Sequence, residues 1–141
     1  MKLTLRFSAQ NKPASLFIRF FRFIPCSHVE AVMPDGSTLG ARLIGGVKIR
    51  DTGIYSWARE ITLDVPAVLW NEALSMQGWK YDLLALFAFL FRIKMQKSKW
   101  VTCVEMWTEL LKKHGVIEIP DARTIDPFML YLILVNLGKK K

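Results

Sequence analysis

The chain has 141 residues, 52% of them hydrophobic, and a formal net charge of +8 from 20 Lys and Arg against 12 Asp and Glu. That length fits one domain around a single core, over residues 1-138, with a basic tail at 139-141. A mean hydropathy of +0.22 raises the question of a membrane span. Segment length excludes one: Leu83 to Leu90 runs through Phe91 into Arg92, and Phe128 to Leu137 is about half of the roughly 20 residues a spanning helix needs. Cys26 and Cys103 are the two cysteines, so no disulfide framework is implied and a reducing compartment is expected. The basic excess implies anionic surroundings, which nucleic acid, a phosphate-rich envelope polymer or an acidic protein surface would each satisfy. Its clusters, Arg92 to Lys99 and Lys139 to Lys141, read as a solvated loop and a frayed tail.

Met1 to Phe7 alternates as a strand does and lacks the apolar block and cleavage site of a signal peptide. The first element is therefore a strand from Leu3 to Ser8, and the product is expected to be cytoplasmic when made or carried in a larger assembly. A turn around Asn11 and Pro13 leads into a helix over Pro13 to Phe23, where arginines separate large apolar groups. Pro34-Asp35-Gly36-Ser37 reads as a tight turn that pairs Ser27 to Met33 with Thr38 to Leu43 as a hairpin. Gly45-Gly46 permits a bulge or second bend before a strand at Val47 to Arg50, and Ile61 to Val65 is a further strand.

Past Pro66 the period becomes helical. Ala67 to Met76 and Tyr81 to Phe91 read as helices separated by Gln77-Gly78-Trp79, with Asp82 capping the second or pairing with Lys80. Thr102 to Lys113 is another helix, with Val104, Trp107, Leu110 and Leu111 as its buried face and Gly115 as its stop. Phe128 to Leu137 is a core element, and the class is α+β.

Two of these elements carry chemistry. Strand alternation puts Cys26, His28 and Glu30 on one face and Val29 and Ala31 on the other. Cys103 falls in the first turn of a helix, where unpaired N–H groups and the positive dipole end favour a thiolate and a developing oxyanion. A nucleophile, a base and a carboxylate are thus available, which is what cysteine chemistry needs. Cys26 is left structural, His114 is a favourable charge at a helix C-terminus, and Trp79, Trp100 and Trp107 are core or groove walls. A zinc site from Cys26, His28, Glu30 and Cys103 is disfavoured by the spacing, since structural zinc uses close ligand pairs from turns. No cofactor is expected.

Ser27-His28-Val29-Glu30, Asp35-Gly36, Gly40-Ala41-Arg42, Gly45-Gly46-Val47, Trp79-Lys80-Tyr81-Asp82 and Thr102-Cys103-Val104-Glu105 together extend over about Pro25 to Gly115. This combination resembles the permuted branch of the NlpC-like papain-fold hydrolases, which includes YiiX-like proteins and small phage-encoded relatives, with lecithin retinol acyltransferase a distant member. The resemblance implies a permuted papain-like fold, a central antiparallel sheet packed by helices, with Cys103 as nucleophile, His28 as general base and a polar residue orienting the imidazole. Glu30, two residues from His28 and about 7 Å along the strand, is the first choice for that third role. On the neighbouring strand Thr38, but not Gly40 or Arg42, is the plausible alternative, and Ser37 is a remote one. Val104 stands where the family pattern often carries Ser, leaving only its backbone N–H for an oxyanion hole.

The expected activity is hydrolysis or acyl transfer at a peptide, amide, thioester or ester bond, with peptidoglycan peptide or a virion maturation target as the substrate that a phage relative would take. A non-enzymatic phage virion or assembly protein on the same scaffold, in contact with phage structural proteins, is the main rival reading. A basic nucleic-acid-binding domain is a lesser one, favoured by charge alone. Duplex DNA should accordingly bind weakly, without sequence preference, and release as salt rises through the physiological range in a binding series. Sequence discrimination that survives at physiological salt would instead make base recognition the purpose of the charge.

Overall fold

The computed structural model describes residues 1–22, 24–83 and 100–139. Its centre is the N-terminal strand β1 (Lys2–Ala9), which alternates Leu3, Leu5, Phe7 and Ala9 inward and is paired along both edges. The helix α1 (Pro13–Arg22) follows, then β2 (His28–Val32), β3 (Thr38–Arg42), β4 (Gly46–Arg50) and β5 (Trp57–Asp64). These strands form one antiparallel sheet in the order β4-β3-β2-β1-β5. Next come α2 (Ala67–Ser75), the short strands β6 (Lys80–Tyr81) and β7 (Trp100–Val101), α3 (Cys103–Lys113), a 3-10 turn (Ala122–Thr124) and α4 (Pro127–Lys139). The chain is therefore α+β, with four α-helices among the described residues.

Strand register decides which side chains face which layer. Phe7 lies opposite Val29 and Leu5 opposite Ala31, while Ser8 lies opposite His28 and Arg6 opposite Glu30. One face therefore presents an apolar layer of Leu3, Leu5, Phe7, Val29, Ala31, Leu39, Ala41 and Val47, which joins Leu69, Met106, Trp107, Leu111, Leu130 and Leu134 of the helices in one core. Trp107 is fully buried and meets Trp70 of α2 edge to face, with ring centroids 6.4 Å apart. Each fully buried side chain of this size contributes about 1.5–3 kcal/mol, so α3 is held mainly by its inner face.

Turn chemistry sets the hairpin. Asp35 Oδ1 accepts from the Ser37 N–H at 2.9 Å and the Ser37 hydroxyl at 2.6 Å, Gly36 takes a φ of 86°, and β2 and β3 pair on either side. Farther along, Val47 donates to the Trp79 carbonyl and accepts from the Gly78 N–H, both at 2.8 Å, so the chain entering β6 is tied to β4. β6 in turn pairs in parallel with β7, immediately before the helix that carries Cys103.

Several expectations need correction. β5 begins at Trp57, well before Ile61; its charged first half reads as loop but pairs with β1, with Arg6 on Glu60 at 2.8 Å and Lys2 on Asp64 at 2.9 Å across the polar face. Tyr81 belongs to a strand rather than opening a helix, because its partner Val101 lies in a segment too short to show a period. The last helix, α4, includes Lys139. The remainder of the expected Tyr81 to Phe91 helix, the Arg92 to Lys99 cluster and Lys140 to Lys141 fall outside the described residues. No described helix is long and apolar enough to cross a membrane.

Gly46 of β4 lies tightly against the backbone that leads into the two-stranded β6–β7 sheet. Its φ is 63°, and a Cβ there would lie 2.1 Å from the Trp79 carbonyl oxygen, a backbone atom that cannot swing aside. Gly46→Ala should therefore cost about 3 kcal/mol in denaturant unfolding. Gly78→Ala, also at positive φ but with nothing within 4 Å of the new methyl, should cost about 1 kcal/mol. Equal losses would show that the Val47 to Trp79 junction is not tight.

Candidate active site

Helix α3 is started by a capping box. Thr102 accepts from the Glu105 N–H at 3.3 Å, and the Glu105 carboxylate accepts from the Thr102 N–H at 3.1 Å. Glu105 thus has a structural reason to sit two residues after Cys103, and burial, with Asp82 and Glu109 adding to it, pushes its carboxyl pKa upward despite the bonds from Thr102. The N–H groups of Cys103 and Val104 precede the first intrahelical donor, the Met106 N–H on the Thr102 carbonyl, so both lie at the positive end of the helix without a helical partner.

Cys103 is buried, and its Sγ lies 3.9 Å from the carbonyl oxygen of Ser27, the residue before His28. The start of β2 therefore meets the start of α3. The His28 Nε2 is 3.1 Å from Glu30 Oε2, and Cys103 lies close enough to His28 to act on its charge. Burial pulls the His28 pKa down, but the negative charge and hydrogen bond of Cys103 and those of Glu30 outweigh it and raise it to about 9. The imidazole is charged at neutral pH.

Glu30 is 1% exposed, and a carboxylate buried so deeply must be compensated. Burial alone would raise its pKa, but His28, the Tyr55 hydroxyl and Arg42 together hold it far below the ordinary carboxylate range. Arg42 Nη2 donates to Oε2 at 2.8 Å, and the Tyr55 hydroxyl donates to Oε1 in a short hydrogen bond. Gly40 leaves room for this side chain, since a Cβ there would come within 3.0 Å of Glu30 Cβ.

The structure thus brings together Cys103, His28 and Glu30 and leaves Thr38 apart. Thr38 pairs with Val32 at the far end of β2, and its hydroxyl is buried without a hydrogen bond. Ser37 is engaged with Asp35 in the turn. Cys26 is fully buried, and burial chiefly, with Asp126 and Cys103 adding to it, pushes its thiol up to about 12. His114 caps the end of α3 and pairs with Glu72 of α2 at 2.9 Å, so it binds two helices rather than a ligand. Asp82 is buried at the end of β6, where its N–H donates to Val101. Among the described residues no cluster of His, Cys, Asp and Glu is arranged to hold a metal ion.

Two contributors escaped the sequence reading. Arg42 reaches Glu30 diagonally across the β2–β3 pair, two residues beyond Gly40, and forms an ion pair with it at 2.8 Å. Tyr55 lies in the irregular segment between β4 and β5, where no periodicity points to any side chain. The chain matches no protein-family model, and no curated protein or solved structure is significantly similar to it.

Because His28 is more basic in the fold than its ordinary 6.5, its charged form stabilises the folded state. That contribution is complete below about pH 6.5 and is lost as pH rises through about 9. Titration of the His28 ring protons by NMR should give a midpoint near 9, and Cys103→Ser, which removes the negative neighbour, should lower it by more than one pH unit. A midpoint near 6.5 in both proteins would mean that the thiol and imidazole do not interact.

Proposed function

We propose that the chain is a cysteine hydrolase of the permuted papain type, a peptidase, amidase or related acyl-transfer enzyme. The observation that supports it best is the grouping of Cys103, His28 and Glu30, in which a carboxylate engages the imidazole and a thiol at a helix start lies beside it. The chain order supports it as well: the His strand comes early in an antiparallel sheet, and the Cys helix follows and packs on that sheet.

The chemistry then follows from the protonation state. In the reacting state the Cys103 proton is held by His28, whose charged form Glu30 stabilises, and the sulfur attacks as thiolate. A bond forms between Sγ and the carbonyl carbon, and the carbonyl π electrons move to oxygen, where the Cys103 and Val104 N–H groups face the new charge. Collapse expels the leaving amine or alcohol, which takes its proton from His28, and leaves a thioester on Cys103. Neutral His28 next accepts a proton from water or another acceptor as it attacks the thioester, and the acyl product departs as Cys103 thiolate and charged His28 return. The acceptor decides between hydrolase and transferase. A peptidoglycan peptide or a virion target is the substrate class that phage-type relatives suggest, and +8 suits an anionic cell wall.

A second reading, a non-enzymatic assembly protein, has one observation in its favour. Leu16 on α1 and Met129 and Leu132 on α4 are exposed apolar side chains of the kind a partner protein of a phage particle would cover. Thiol reactivity separates the two. Competition labelling with iodoacetamide near neutral pH and peptide mapping should show Cys103 modified at least about tenfold faster than Cys26, with the advantage abolished in His28→Ala. Equal rates, or a faster Cys26, would remove the proposed nucleophile.

A further inference from the structure

We propose that Tyr55 and Arg42 are positioning residues that act on Cys103 through Glu30, fixing its carboxylate so that the imidazole keeps one nitrogen turned to the thiol. The inference rests on the hydrolase reading above and assigns the parts that reading leaves open.

A carboxylate two residues from its imidazole on one strand can bond it in several orientations, because both oxygens accept and the terminal torsion is soft. Here each oxygen is occupied by a different partner. Tyr55 takes Oε1, Arg42 takes Oε2 at 2.8 Å, and His28 Nε2 shares Oε2 at 3.1 Å. Rotation of the carboxylate would break both outer bonds, so the position of Oε2 under Nε2 is set from outside the pair.

Tyr55 is itself held. Its oxygen is 3.4 Å from the Gly53 N–H, which donates to it, and its ring lies 5.4 Å below the Arg6 guanidinium. Arg6 is fixed on β1 by Glu60 of β5, with Nε to Oε1 at 2.8 Å. A continuous set of contacts therefore runs from β5 through β1 and the segment before β5 to Glu30 and His28, beside Cys103.

Arg42 has a second consequence. During the acid step His28 gives its proton to the leaving group and loses its charge. Glu30 would then be a buried carboxylate beside a neutral ring, and it would compete for that proton unless another cation compensated it. Arg42 is a permanent one, since its guanidinium does not deprotonate in proteins. The carboxylate stays ionised through the cycle, and the proton is directed to substrate.

The test is a double-mutant cycle read by the rate of Cys103 alkylation across pH. Tyr55→Phe and Arg42→Gln should each slow alkylation near neutral pH about tenfold, the effect of losing one hydrogen bond to a charged group. In a Glu30→Gln background neither should have any further effect, because the route to Cys103 is already cut. Losses that persist undiminished in that background, or no loss in either single variant, would overturn the proposal. Arg42→Lys keeps the charge and guards against misfolding in the glutamine variant; it should recover part of the rate. The low-field Nε2 proton of His28 gives an independent reading by NMR: it should be visible in the wild type and lost to exchange in Tyr55→Phe. An unchanged signal in the variant would overturn the assignment. An unreactive wild-type Cys103 would defeat the hydrolase reading itself, and the Nε2 proton would still decide whether Tyr55 holds Glu30.

Discussion

A single buried carboxylate organises the polar half of this protein. Glu30 lies in the middle of the central sheet, where an isolated charge would be costly, and it is tolerated because His28, Arg42 and Tyr55 all converge on it. Each of those partners comes from a different part of the chain. β2 supplies the histidine, β3 the arginine and the segment before β5 the tyrosine. Removing one partner leaves the rest of a buried network uncompensated, so the arrangement of these strands and the electrostatics of the imidazole are not independent.

The apolar half does the complementary work of bringing Cys103 to that imidazole. Trp107, Leu110 and Leu111 fix the rotation of α3 against the sheet, and the capping box fixes where the helix starts. Val47, tied to the Gly78 and Trp79 backbone, carries β6 to the edge of β4, and β7 delivers the chain from there into Thr102. His28 comes from a strand and Cys103 from a helix seventy-five residues later, yet both stand at element starts. The result is a thiol beside an imidazole at the boundary between the apolar and polar layers, with the imidazole basic enough to remain charged at neutral pH.

Much of this arrangement can be read directly from the residues, for identifiable reasons. The hairpin around Asp35-Gly36 and the helix from Cys103 to Lys113 are legible because local chemistry specifies them: an Asp and Gly in a turn, and a Thr and Glu three apart at a helix start. Cys103, His28 and Glu30 are legible for the same reason, lying on elements whose period can be read. Arg42 is only half legible. Its face follows from the hairpin, but its selection over Thr38 depends on register, since Thr38 lies opposite Val32 rather than near the imidazole. Tyr55, the first half of β5 and the short β6–β7 pair are illegible, because tertiary pairing rather than local pattern determines them.

The central claim is that Cys103 becomes acylated with His28 as its proton partner. The most direct measurement is intact-protein and peptide mass spectrometry after brief exposure to a small activated ester, comparing wild type with His28→Ala. The account predicts an acyl adduct on the peptide containing Cys103 in the wild type, released on longer incubation, and its absence in the variant. An adduct confined to lysines, or one on Cys103 that forms equally without His28, would contradict it.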